Sequence, residues 1–320
     1  MPRIVFEENR LHCEPGENLL DCLLRHGHSI PYGCRAGACQ SCLVQLEQGQ
    51  PPSQAQASLT PSQRQDGLLL SCQCQPDTAL TISRYSLKNK IITSSVLEKT
   101  QLSETVLRLR LRPQGPWRAG QYINLWLNEK SQSRCYSIAS VASEDPFLEL
   151  HIGLHPHGYL SPTLFYDCMV GDNIAWQGPI GEFVYRDDLP QDNILLLAEG
   201  TGLAPLLGIC REALLTNPST NIELLCTDSK PSEYYGTDLL MQLKKQYPQL
   251  AFGVIEKTKN AEPYRATTTS LKARFSSLRD YSVYICGGPK YVETLQRQCF
   301  MAGATRSNIL IEKFLDFSSA

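Results

Sequence analysis

Cys34, Cys39 and Cys42 stand in the loop GCRAGACQSC (residues 33–42) with the spacing C-x4-C-x2-C. Thiolates gathered this closely point first to a metal, and the spacing narrows which one. Zinc sites favour paired C-x2-C knuckles or cysteine combined with histidine, and no histidine lies within five residues of these thiols in the sequence. Clusters of two irons and two sulfides use C-x4-C-x2-C followed by a distant fourth cysteine. LLLSCQC supplies one at Cys72, after a spacer of 29 residues. Cys74 lies two positions further on, and in an extended segment both would face the same side, so spacing alone leaves the fourth ligand open. The loop suits a reduced cluster, whose excess negative charge is stabilised by backbone N–H groups aimed at its sulfurs. Ala36, Gly37, Ala38 and Ser41 let the backbone come close, and Gly33 and Gly37 permit unusual dihedrals.

Other motifs further along carry chemistry of a different kind. RCYS (134–137) sets a guanidinium and an aromatic ring two positions apart, in the middle of the β-rich stretch. HPHGYLSPTLF contains G-x-x-S at Gly158 and Ser161 ahead of an apolar helical stretch. LLLAEGTGLAPLLGI (195–209) reads as a strand, a tight turn at Gly200, Thr201 and Gly202, and a helix beginning near Pro205. Such a turn lets phosphate meet unbonded backbone amides, although it is not the G-x-G-x-x-G fingerprint. CGGP (286–289) follows the strand YSVYI. In LLCTDSKPSEYY, Asp228 lies beyond a second strand, where a carboxylate holds the 2′-OH of NADH and basic residues hold a 2′-phosphate; with Lys230 close by, NADH is expected over NADPH. His151, His155 and His157 are spaced i, i+4, i+6, which fits no helical metal pair.

The elements that must position these residues fall into three stretches. Residues 1–86 read as a hairpin (RIVFEE, RLHCEP), a helix ENLLDCLLRHG with Leu19, Leu20, Leu23 and Leu24 on one face, the cysteine loop, and a strand CLVQLEQG. Residues 87–189 are short β-rich segments divided by Gly, Pro, Ser and Asp, an antiparallel barrel pattern. Here Val106, Leu107, Leu109 and Leu111 alternate with Arg108, Arg110 and Arg112, which reads as a solvated arginine face. From residue 190 to 320, strands alternate with helices, as in a parallel α/β sheet with ligands at the strands' carboxyl ends. Of 320 residues, 42% are hydrophobic and 19% charged, as expected for a globular protein with a sizeable core. The formal charge is −2 with no basic run, which argues against nucleic acid as partner. The charged N-terminus lacks a signal-peptide core, and no apolar run approaches a membrane span of about 20 residues, so a soluble cytoplasmic protein is expected. In that setting the thirteen cysteines are expected to stay thiols unless a metal takes them, nine of them as small buried hydrophobes.

Residues 1–85 resemble the plant-type ferredoxin domain, which favours Cys72 as the fourth ligand. RCYS and G-T-G-x-A-P resemble the flavin and nucleotide motifs of the ferredoxin–NADP reductase superfamily. The order ferredoxin, FAD barrel, NAD domain resembles the bacterial reductases that supply electrons to multicomponent oxygenases. The resemblance implies a β-grasp domain, an antiparallel FAD-binding barrel and a parallel α/β NAD domain. It implies that Arg134 contacts the FAD pyrophosphate, Tyr136 packs on the flavin and Ser137 bonds near its N5, with the turn at Gly158 and Ser161 facing the same pyrophosphate. It sets Cys286 beside the nicotinamide and lets Gly287 and Gly288 admit that ring. IEKF (311–314) resembles the closing strand, with Phe314 or Phe317 over the flavin. Glu199 departs from the motif, since many relatives have glycine there; an acidic group facing a pyrophosphate is unfavourable, so it is expected to point away or bond the loop. The implied activity carries hydride from NADH to FAD, then single electrons to the 2Fe–2S cluster and on to a separate acceptor protein. The chain itself shows no Rieske or 2-His-1-carboxylate motif. The expected acceptor is an oxygenase component; the alternatives are a deoxysugar dehydrase, or a redox-sensing role without turnover. A monomer is expected.

Overall fold

The computed structural model describes residues 2–85, 91–126, 132–158, 160–190, 192–259 and 262–315. They form three sheets and pack as two compact units, one of Met1–Thr93, Ile123–Cys135 and Ile174–Gly178, the other of Ser94–Tyr122, Tyr136–Asn173 and Pro179–Ala320.

The first sheet begins with a hairpin, β1 (Ile4–Phe6) against β2 (Asn9–Leu11), turned by Glu7 and Glu8 at positive φ. Helix α1 (Leu19–Arg25) starts where Asn18 accepts the Asp21 amide at 3.0 Å, and it buries Leu19, Leu20, Cys22 and Leu23. β3 (Leu43–Gln48), the short helix α2 (Pro61–Gln65), β4 (Leu68–Leu70) and β5 (Leu80–Arg84) follow. The order β2-β1-β5-β3-β4, with β5 parallel to β1, is that of a β-grasp sheet. Its core joins Ile4, Phe6 and Ile82 to the α1 leucines. α2 falls in a stretch without hydrophobic periodicity and owes its start to a capping box between Thr60 and Gln63. One expectation is corrected here. Cys13, just after β2, and Cys22 on α1 are joined as a disulfide with Cα atoms 5.3 Å apart, because the hairpin end and the helix are packed side by side.

The second sheet contains β6 (Ile91–Gln101), β7 (Val106–Leu111), β8 (Tyr122–Trp126), β9 (Ser133–Ser137), β10 (Leu148–Gly153) and β11 (Asn173–Ile180), in the order β10-β7-β6-β11-β8-β9. Helix α3 (Ser161–Tyr166) lies between β10 and β11. The β7 arginines are not simply solvated. Antiparallel register sets Arg110 opposite Glu98 of β6 and Glu149 of β10, at 2.6 and 2.7 Å, while Arg108 takes the other Glu98 oxygen at 2.6 Å. Glu149 also meets His151 Nε2 at 3.2 Å; burial works against its charge, but His151 and Arg110 together hold its carboxyl at about 2. His151 Nδ1 reaches Tyr235 Oη at 3.2 Å, so this histidine serves an internal network.

The third sheet is wholly parallel: β12 (Asn193–Glu199), β13 (Asn221–Asp228), β14 (Leu250–Glu256), β15 (Ser282–Gly287) and β16 (Ile309–Lys313), in the order β14-β13-β12-β15-β16. Helices α4 (Leu203–Thr216), α5 (Thr237–Gln246), α6 (Arg265–Arg274) and α7 (Pro289–Met301) make the crossovers. Buried runs such as Ile194–Ala198 and Val283–Cys286 mark strands covered on both faces. The strand order reverses between β12 and β15, which is where such sheets hold ligands, beyond the carboxyl ends. Among the described residues no helix is long and apolar enough to cross a membrane.

Candidate functional site

The cluster loop brings its thiols together as two pairs. Cys34 and Cys39 exchange backbone N–H to sulfur contacts of 3.1 and 3.2 Å, and the Ala36 amide adds a third at 3.4 Å on Cys34. Cys42 Sγ lies 3.2 Å from Cys72 Sγ across the sequence gap that the strands β3 and β4 close. Within the second pair, the shared proton pushes Cys42 up and Cys72 down. Cys74 is buried without a neighbouring thiol to share its proton, and desolvation pushes it up to about 12. Two thiol pairs and inward amides fit a group that needs two thiolates on each of two irons and compensation for negative charge. Gly37 adopts φ +81°, and a Cβ at Gly33 would come within 3.2 Å of Cys39 Sγ.

Residues of the second sheet that pack within the same unit close this site from the other side. The fully buried Asn124 donates to Cys39 O at 2.9 Å and accepts from Cys135 Sγ at 3.1 Å. The Cys135 thiol shares its one proton between Asn124 and the Cys39 sulfur, and this contact is the foremost cause that holds the Cys39 thiol low. Ser133 Oγ meets Ser41 Oγ at 3.0 Å, both fully buried. Nothing in the residue types of 124, 133 or 135 marked them; only the fold reveals them.

At the other end of β9, in the second unit, Ser137 donates from Oγ to Glu312 Oε2 at 3.0 Å, and Cys286 Sγ lies 3.9 Å from the same oxygen. Desolvation raises the Glu312 carboxyl to about 7, with the Ser137 and Cys286 contacts opposing it. Glu312 sits within IEKF, yet its role was invisible until β16 ran beside β15 and set Glu312 opposite Cys286. Phe314 follows, its amide bonded to Gly287 O at 2.8 Å and its ring packed against the core that holds Cys286. Phe317 lies outside the described residues. Arg134 and Tyr136, both half-buried, share β9 with Ser137. Gly158 and Ser161 close a turn on His155, whose amide reaches Ser161 Oγ at 3.0 Å; a Cβ on Gly158 would meet His155 O at 2.9 Å.

The turn after β12 is built around two glycines with different constraints. Gly200 has φ +55° and open space where a side chain would point, whereas a Cβ on Gly202 would come to 2.4 Å from Cys286 O. Thr201 lies between them, and the Tyr234 hydroxyl donates to Gly200 O at 3.2 Å. A Cβ on Gly287 would meet Glu199 Cβ at 2.7 Å, and one on Gly288 would meet Glu199 Oε2 at 3.1 Å. Of the two expectations for Glu199, the side chain follows the first and points away from its own turn: Oε2 accepts the Gly288 amide at 3.0 Å, and Oε1 accepts Lys257 Nζ at 2.6 Å and Tyr264 Oη at 2.9 Å. Asp228 ends β13 and accepts the Lys230 amide at 2.9 Å, while the Lys230 ammonium is engaged by Glu233 at 2.9 Å.

Three family models match the chain in sequence order: a 2Fe-2S iron-sulfur cluster binding domain over residues 6–77, an oxidoreductase FAD-binding domain over 93–185 and an oxidoreductase NAD-binding domain over 196–297. The chain is 30% identical to the reductase subunit of an aromatic O-demethylase from Amycolatopsis, over 89% of this chain and 90% of that one. It is 26% identical to reductase component 1 of a terephthalate 1,2-dioxygenase from Comamonas, over 94% and 93%. The crystal structure of an Amycolatopsis cytochrome P450 reductase superposes with a TM-score of 0.67 at 28% identity, covering 98% of this chain and 99% of that one.

Proposed function

Because the chain belongs to the family of oxygenase reductase components that carry electrons from a reduced nicotinamide through FAD and a 2Fe-2S cluster to a separate protein, we propose that its donor is NADH, its acceptor an oxygenase component, and its setting the cytoplasm, where it works as a monomer. The observation that supports this reading best is the pairing of four thiols, Cys34 with Cys39 and Cys42 with Cys72, in a chain that also matches flavin and nicotinamide domains.

When bound, FAD accepts hydride from the nicotinamide and the cluster passes single electrons onward. The chain's own residues hold and orient these groups. Cys34 and Cys39 are proposed to hold one iron and Cys42 and Cys72 the other, with the amides of the loop offsetting the charge. Arg134 pairs with the FAD pyrophosphate, aided by the turn at Gly158 and Ser161, and Tyr136 packs on the ring. Ser137 and Cys286 are oriented by Oε2 of Glu312, whose carboxyl holds a proton below about pH 7 and draws both donors more strongly once ionised. The Gly200–Gly202 turn offers its amides to the dinucleotide, Gly287 and Gly288 leave room for the nicotinamide, and Phe314 shields the flavin. Asp228, at the end of β13, accepts the 2′-OH, which favours NADH.

The test is anaerobic titration of the holoenzyme with NADH, followed by visible absorbance and electron paramagnetic resonance. The expected result is bleaching of flavin and cluster together with a rhombic signal from the reduced cluster. A protein reduced by NADPH alone would overturn the choice of donor, and one reduced by neither would overturn the reading.

A further inference from the structure

Glu199 presents an electrostatic problem. It ends β12 at the point where the strand order reverses, beside a turn whose amides suit a phosphate, and a carboxylate there repels any phosphorylated ligand. The geometry supplies the answer in Lys257. Its backbone amide is bonded to Asp228 O at 2.7 Å, at the end of β13, and its side chain then runs along the carboxyl edge of the sheet to Glu199 Oε1 at 2.6 Å. On the way the ammonium passes over the Tyr264 ring, 5.3 Å from its centroid. The Glu199 side chain is 13% exposed and Lys257 38%, so the anion is enclosed while the cation faces outward. An ammonium has three protons to give; Glu199 Oε1 takes one and the Tyr264 hydroxyl a second, which leaves one for a ligand. The support beneath is rigid: Tyr264 stacks edge-on against Tyr291 at 5.2 Å, and Tyr291 donates to Ala198 O at 3.0 Å.

We propose that Lys257 is a phosphate-binding residue for the nicotinamide dinucleotide and that Glu199 is the positioning residue that holds its ammonium at the crevice beyond β12 and β13. This rests on the reading of the third sheet as the dinucleotide domain. The phosphate is either the pyrophosphate, common to NADH and NADPH, or the 2′-phosphate of NADPH alone. Glu199 contributes twice, since the same carboxylate fixes the Gly288 amide at the start of α7, so the cation and the CGGP turn are set by one group.

The experiment measures equilibrium binding of NAD⁺ and NADP⁺ to the flavin-loaded holoenzyme by calorimetry at several salt concentrations, for wild type, Lys257→Gln, Lys257→Arg, Glu199→Gln and the double variant Glu199→Gln/Lys257→Gln. Loss of the cation in Lys257→Gln is expected to raise Kd about tenfold and flatten its salt dependence, with Lys257→Arg within about threefold of wild type. In the Glu199→Gln background the same change is expected to cost about threefold or less, because the ammonium is no longer held in place. A rise for both dinucleotides identifies the pyrophosphate, and a rise for NADP⁺ alone identifies the 2′-phosphate. Unchanged Kd with unchanged salt slope in Lys257→Gln overturns the proposal, as does a weakening that Lys257→Arg fails to rescue, which would make the lysine a tie between strands only. Binding is read without turnover, so a wild type that binds dinucleotide but is not reduced by it counts against the redox reading and not against Lys257.

Discussion

The cluster loop and the Ser137–Cys286–Glu312 group solve the same problem, holding reactive sulfur or oxygen atoms at fixed distances, by opposite means. Around the cluster, three of four thiols come from one short loop, and the fourth is 30 positions away on the far side of a hairpin-like return. At the other group, Ser137 and Glu312 are 175 positions apart, and Cys286 and Glu312 are 26 apart on adjacent parallel strands. The loop depends on local backbone conformation, with Gly37 in the left-handed region and Arg35 and Gln40 there too, at φ 48° and 55°. The other group depends on strand register, because a one-residue slip of β16 would turn Glu312 to the opposite face of the sheet. A site made by a loop is sensitive to its ligands one at a time, whereas a site made by register is sensitive to the charge state of the group that joins its strands.

The largest effect is expected at the loop. Cys72→Ala should abolish the signal of the reduced cluster while leaving NADH-dependent bleaching of the flavin. Cys74→Ala should keep the cluster and cost only about 1 kcal/mol of stability. Equal loss of cluster in both variants would break the contrast, since it would mean that burial near the site, and not the thiol pair, decides occupancy. Next comes Glu312→Gln. The rate of flavin reduction by NADH, measured by stopped flow from pH 5.5 to 8.5, is expected to inflect near pH 7 in the wild type, and in Glu312→Gln to fall on the order of tenfold and lose that inflection. The fold raises this carboxyl above its ordinary value, so the native state binds more protons than the unfolded chain between about pH 4.5 and 7, and its contribution to stability falls with rising pH across that window. The melting temperature of Glu312→Gln relative to wild type should therefore climb through the same range and level off above it. The smallest effect is expected for Cys135→Ala. Loss of one hydrogen bond to Cys39 of about 1 kcal/mol should lower the cluster potential by about 40 mV, with the flavin potential unmoved. Redox titration with a resonance Raman check of the iron–thiolate stretch reads this directly; an unchanged potential would show that Asn124 and the loop amides suffice.

The contrast also explains what could be read before the fold was known. The gathering of Cys34, Cys39 and Cys42 in one loop was legible because cysteine spacing is a local property, and the three sheet types were legible because alternation and strand–helix rhythm are local too. Glu312, Lys257 and Tyr264 were not, since each matters only through a neighbour brought in by sheet order. Arg108 and Arg110 were read as a solvated face because β7 alone shows only its own alternation; their partners Glu98 and Glu149 lie on β6 and β10. The Cys13–Cys22 link escaped because composition and chain length argued for thiols, and only the packing of α1 against the end of β2 brings the two together.

The two glycines of the Gly200–Gly202 turn carry a last consequence, for how this chain tolerates mutation. They look equivalent in sequence, yet one is required by backbone conformation and the other by space. Gly200, at positive φ with nothing near its missing side chain, is a position where asparagine, which visits the same conformation at modest cost, can stand in. Gly202 lies against Cys286 O with no room for even a methyl group, so the two strands β12 and β15 would have to part to admit one. For folding alone, Gly200→Asn is therefore expected to cost little and Gly202→Ala much, so two different tolerances meet within a single three-residue turn.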